Sequence, residues 1–303
     1  MRATLALTTS LMIASCANTV TESEPNERVT YNAISFADVT ANQAAINELG
    51  SKKFSLNNAA AVSMLSSQGS REVLEYLVGC ALPAGQAFTV HAAGTTYTFA
   101  GDVGLAKSWK STKLSAKQQR WISACMFARI NNQDQLLKIS MRGPHHALHV
   151  TSAETSRFTQ EEGVYYGNLF TGELPIVGWS CRGKAQAQGE GSEGSALSYR
   201  DCAEPGFGDT RELGLNQCGW GYAEDCFVHE FGIPFACESK VTTGGGVPDS
   251  EADGDASDEP SHGSNAPNAY YRRCHSGGEI PFLEPLWSEV ITVYVESGPP
   301  SLD

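Results

Sequence analysis

The chain has 303 residues, of which 41% are hydrophobic, enough for one large or two small domains with a sizeable core. Its formal net charge of −13 and pI near 5.0 argue against nucleic acid as a partner, because neutralising phosphates needs a basic patch and the sequence has none.

In chain order the first element is a leader. Met1-Arg2 supplies a positive charge, residues 3–14 are mostly apolar, and small residues precede Cys16, the layout of an export signal. Thr4, Thr8, Thr9 and Ser10 interrupt the apolar stretch, which falls well short of the roughly 20 residues a transmembrane helix needs. Ile13-Ala14-Ser15-Cys16 resembles the lipobox of bacterial lipoproteins. That resemblance implies cleavage after residue 15, a lipid on Cys16 and anchorage in the cell envelope. Ala17, where an inner-membrane retention residue is absent, implies the outer membrane. The alternatives are an ordinary signal cut near Ala14 or Ala17, giving a periplasmic or secreted protein, and a soluble chain with an apolar start. Because one acyl chain anchors only marginally, the membrane is the expected partner through a multiply acylated Cys16. Residues 16–50 are polar, with Pro25 and many Ser and Thr, and read as a tether with a reach of roughly 30 Å.

Residues 51–180 read as an α+β part. A helical pattern spans 56–78 with a break at Gly69-Ser70, where Ser70 caps a second segment carrying Val73, Leu74, Leu77 and Val78. Phe88-Thr89-Val90-His91 and Thr96-Tyr97-Thr98-Phe99 form a hairpin. The clearest helix covers 115–130, since Ser115 and Gln118 make a capping box and Trp121, Ile122, Cys125 and Met126 follow at helical spacing. Leu137, Ile139 and Met141 alternate with Lys138, Ser140 and Arg142, the pattern of a half-buried strand, and 145–151 reads as its return strand. Further strands are expected at 163–170 and 176–181.

Residues 181–303 change character: cysteines among Gly and aromatic residues, no long periodic segment, and an acidic stretch at 241–269 without Lys or Arg, read as a solvated loop. A last strand covers 291–295. Tyr76-Leu77-Val78-Gly79-Cys80, Trp121-Ile122-Ser123-Ala124-Cys125 and Tyr166-Gly167-Asn168-Leu169-Phe170 give the mature chain a resemblance to uncharacterised exported proteins of Gram-negative bacteria, which implies no activity and no catalytic residue.

Nine cysteines are present. With Cys16 lipidated, Cys80, Cys125, Cys181, Cys202, Cys218, Cys226, Cys237 and Cys274 remain, an even set as expected for disulfides in an exported chain. Eight allow 105 pairings. Cys80 and Cys125 stand on predicted helices apart from the other six, so they are expected to pair. Zinc is not expected, because Cys218, Cys226 and Cys237 are too widely spaced for the close cysteine pairs of structural sites.

Other motifs are weaker. Asp249, Glu251, Asp253 and Asp255 with Gly254 resemble the start of a calcium loop, but Pro260 stands where the bidentate Glu belongs; calcium is the one ion admitted, and no other cofactor is expected. The glycines at 189, 191 and 194 match a dinucleotide fingerprint only as letters, since no strand-to-helix turn surrounds them. On a strand, His145 and His149 would stand about 13 Å apart, too far to chelate one ion. Cys274-His275-Ser276-Gly277-Gly278 shares only its last three residues with a serine-protease nucleophile, and His229-Glu230 lacks the second His of a zincin. Adjacent Glu161 and Glu162 read as a solvated face. Tyr165, Tyr166, Phe170, Trp179, Trp220 and Tyr222 read as core, with a glycan platform as the alternative.

The expected fold is α+β: a helix pair on a small antiparallel sheet, with a disulfide-rich, loop-rich second half. The expected role is a lipid-anchored envelope protein that binds a protein or glycan ligand or serves structurally. An extracytoplasmic glycan- or peptide-directed hydrolase is the competing class. A weak calcium-binding surface protein is a third.

Overall fold

A computed structural model describes residues 29–32, 34–55, 58–92, 94–131, 137–171, 177–183, 218, 221–226, 236–242, 269–276 and 286–296. The chain runs through β1 (Val29–Asn32), α1 (Phe36–Ala41), α2 (Gln43–Gly50), α3 (Ala59–Ser63), α4 (Gln68–Ala81), β2 (Ala87–Ala92), β3 (Thr95–Ala100) and α5 (Ala116–Ala128). It continues through β4 (Leu137–Arg142), α6 (Ser152–Arg157), β5 (Phe158–Asn168), β6 (Val177–Arg182), β7 (Gly221–Asp225), β8 (Cys237–Thr242), β9 (Ala269–His275), β10 (Leu286–Trp287) and β11 (Ile291–Glu296). The fold is α+β, as expected.

The main sheet has six strands in the order β1-β4-β11-β5-β6-β7, antiparallel except for the parallel pair β6–β7. A second sheet, β10-β9-β8, is antiparallel throughout, and β2–β3 is a separate hairpin. The hairpin turns at Gly94, whose φ of 78° lies in the region that only glycine enters without steric cost.

Two cores follow from strand alternation. Ile139 and Met141 of β4, Tyr165 of β5 and Ile291 and Val293 of β11 point into the larger core with the helices. Val164 and Tyr166 of β5 and Cys181 of β6 point the other way, into a smaller core shared with Tyr271, Cys237 and Cys274 of the second sheet. The main sheet is therefore buried on both faces, with helices on one and a sheet on the other. In the helical layer lies α5, where every residue from Trp121 to Ala128 is buried; this stretch, covered on all sides, is the interior part of the helix. Its start is the expected capping box, with Ser115 Oγ accepting from Gln118 N and Gln118 Oε1 from Ser115 N. Polar Ser123 is tolerated inside because its hydroxyl donates to Gln119 O at 2.7 Å and accepts from Leu169 N at 2.8 Å.

Several expectations need correction. Residues 29–50 are not a tether: β1 pairs with β4, and Val39, Ile46 and Leu49 are buried at helical spacing in α1 and α2. Residues 16–28 lie outside the described residues. The cap of α4 is Ser67, whose side chain accepts from Ser70 N, so the helix starts earlier than Gly69-Ser70 suggests. Residues 145–151 form no return strand; a 3-10 turn at His146–Leu148 leads into α6. Among the described residues of the second half, 221–225, 237–242 and 269–275 are also strands. Among the described residues no helix is long and apolar enough to cross a membrane.

Candidate functional site

The seam between the two sheets holds a network of buried charge. Ser140 and Arg142 occupy the face of β4 opposite Ile139 and Met141, and both are fully buried. The Arg142 guanidinium donates from Nε to Ser140 Oγ at 3.1 Å and from Nη2 to Phe158 O at 2.7 Å. It also stacks on the Tyr294 ring, 3.7 Å from its centroid. Ser140 Oγ in turn donates to Glu154 Oε1 at 2.7 Å. Burial lowers the Arg142 pKa, while Tyr294 and Glu154 act against that shift.

Across the seam, Glu161 on β5 accepts from Lys240 Nζ on β8 at 2.6 Å. The Tyr294 hydroxyl has one proton for two acceptors, Ala269 O at 2.8 Å and Glu161 Oε2 at 3.1 Å. Burial, reinforced by the Glu161 charge, raises the pKa of both Tyr294 and Tyr271. These phenols stay neutral, and the Tyr294 hydroxyl serves as a donor. The Lys240 ammonium lies 5.1 Å above the Tyr271 ring. Glu161 sits next to a register shift in β5, and both it and Glu162 are buried, which corrects their reading as a solvated face. A carboxylate whose Oε2 is held by Lys240 and a tyrosine inside a seam is placed to join sheets.

The described cysteines divide between the two cores. Cys80 of α4 bonds Cys125 of α5, the expected pair. Cys181 of β6 bonds Cys226, just past β7, and Cys237 of β8 bonds Cys274, directly opposite on β9. Cys218 is disulfide-bonded as well; Cys202 and Cys16 lie outside the described residues. Cys181 Sγ and Cys237 Sγ are 3.3 Å apart, and the sulfurs of Cys181, Cys237 and Cys274 all lie within 4.8 Å of one another. Chain spacing could not reveal this grouping, because three strands of two sheets supply it.

Among the described residues the histidines do not gather into a metal-binding group. His145 caps the 3-10 turn, its Nδ1 accepting from Ala147 N at 3.1 Å, so the neutral ring carries its proton on Nε2 and has no lone pair left for a metal. It packs edge-on against Trp121 and beside His146. Burial, with His146, Lys117, His149 and Lys107 nearby, lowers its pKa to about 4. His149 is exposed. His275 Nε2 meets Glu238 Oε1 at 2.5 Å, and its carbonyl accepts from the Tyr166 hydroxyl at 2.6 Å. With Cys274 bonded and Ser276 buried, the Cys274-His275-Ser276 motif is interior structure.

Of the aromatic residues, Tyr165 and Tyr166 are fully buried, and Trp179 packs partly exposed on the smaller core. The side chains of Trp220 and Tyr222, His229, the glycines at 189, 191 and 194, and the calcium candidates Asp249, Glu251, Asp253 and Asp255 lie outside the described residues. Sequence reasoning missed Arg142, Lys240, Glu154 and Tyr294. The one available signal was a strand with Ser140 and Arg142 on its polar face, which reads equally well as facing water. No protein-family model matches the chain, and no curated protein and no solved structure is detectably similar to it.

Proposed function

We propose that the protein is a cell-envelope lipoprotein, anchored through Cys16, whose stapled fold has a binding or structural role. The observation that carries this reading is the buried disulfide set, which ties helix to helix and strand to strand. Such bonds persist in oxidising, extracytoplasmic compartments. The hydrolase reading draws no support from Glu161, which is held by Lys240 and Tyr294, or from His145, which is engaged in a turn on another element. The buried Tyr165 and Tyr166 favour core over glycan platform, so a ligand would meet surfaces other than these rings.

Intact-mass spectrometry of the natively expressed protein, with and without reductant, tests the proposal. The expected species begins at Cys16, carries acyl mass and exposes thiols to alkylation only after reduction. A mature chain beginning at Met1, or one with eight free thiols, would sink it.

A further inference from the structure

The sulfur cluster in the smaller core admits a second chemical state. Zinc bound by four thiolates is tetrahedral with Zn–S about 2.3 Å, which sets its sulfurs about 3.8 Å apart. Three sulfurs here already lie within 4.8 Å of one another, with those of Cys181 and Cys237 3.3 Å apart. The fourth, Cys226, is one bond away from Cys181. Passing from two bonds of about 2 Å to a tetrahedron moves each sulfur by about 1–2 Å, within the reach of Cys side-chain rotation and without breaking a ladder. The surroundings suit a closed structural site: all four cysteines are buried, with Val164, Tyr166 and Val290 in the same core and Trp179 and Trp287 packed over it. Among the described residues the Cys80–Cys125 bond belongs to no such group.

We infer that Cys181, Cys226, Cys237 and Cys274 form a zinc-binding site in the reduced chain, so that the same four residues hold two disulfides or one divalent metal according to redox conditions. The step balances. Each disulfide takes two electrons and two protons from a dithiol, which leaves as its own disulfide, and four thiols result. Binding Zn²⁺ releases their four protons and leaves a tetrathiolate complex of net charge −2. The site is a property of these residues and does not depend on the leader, so a chain beginning at Met1 would leave it standing.

The test uses the full chain, reduced in denaturant by a phosphine, which departs as the phosphine oxide with one water consumed per disulfide. The chain is then refolded without oxygen in the presence of Co²⁺. The expected result is one Co²⁺ per chain, with a sulfur-to-cobalt charge-transfer band in the near ultraviolet and the visible bands of tetrahedral Co²⁺, all displaced by one equivalent of Zn²⁺. The Cys226→Ser and Cys274→Ser variants should each lose at least about tenfold in metal affinity, while Cys80→Ser/Cys125→Ser should keep the spectrum. A reduced chain that takes up no Co²⁺ overturns the inference. So does a spectrum indifferent to Cys226→Ser and Cys274→Ser but lost with Cys80→Ser/Cys125→Ser.

Discussion

Arg142 is a guanidinium only 1% exposed, and its value lies in what would be orphaned without it. Removing one partner from a buried charged network typically costs about 3–5 kcal/mol. Arg142→Met should therefore lower the unfolding free energy by about 3 kcal/mol or more, read as a lower urea midpoint at unchanged slope. His145 makes a pH-dependent contribution whose sign follows from its depressed pKa. Folded, it takes up its proton near pH 4, and unfolded near 6.5. Between those values the unfolded state binds more protons, so stability falls as the pH drops from 6.5 to 4. His145→Gln should flatten that fall in a series of urea titrations across the window; a curve as steep as the parent's would show that His145 is not its source. Neither role was legible beforehand. Lys138, Ser140 and Arg142 alternate with apolar residues whether water or another sheet covers their face, and only the residues covering them decide.

At the scale of elements, local rules were the most reliable guide. Ser115 and Gln118 announced α5, and its apolar spacing placed Cys125 inside, because capping and periodicity act over one or two turns. The misreading at 145–151 had a local remedy: Thr151 and Glu154 stand three apart as a helix start does, and Thr151 Oγ1 accepts from Glu154 N. The alternation of β4 drew attention to a partner strand, whereas the partners of β4 are β1 and β11, distant in sequence. Glycine can matter between elements as well as in turns. A Cβ on Gly178 of β6 would lie 2.3 Å from Phe127 Cζ of α5, so Gly178→Ala must displace the Phe127 ring from the helix–sheet contact. Overpacking of this kind costs about 1–3 kcal/mol, and thermal or urea unfolding of the variant should show a loss in that range.

For the whole molecule, cross-links and layers matter most. Cys80 and Cys125 are separated by 45 residues, and closing such a loop stabilises by about 4 kcal/mol in the chain-entropy model. Cys80→Ala/Cys125→Ala should cost about 2–4 kcal/mol, checked by urea unfolding under non-reducing conditions. The sequence by itself determined the Cys80–Cys125 pair, the mixed α+β class and the main helices and several strands, because these rest on caps and periods confined to short windows. Tertiary structure alone decided that residues 29–50 belong to the fold, that a second sheet covers the main one, that Glu161 faces Lys240, and that Cys181, Cys237 and Cys274 share one core. Each of these sets groups far apart in the chain side by side, and burial and charge pairing there depend on strand order, which no short window of sequence encodes.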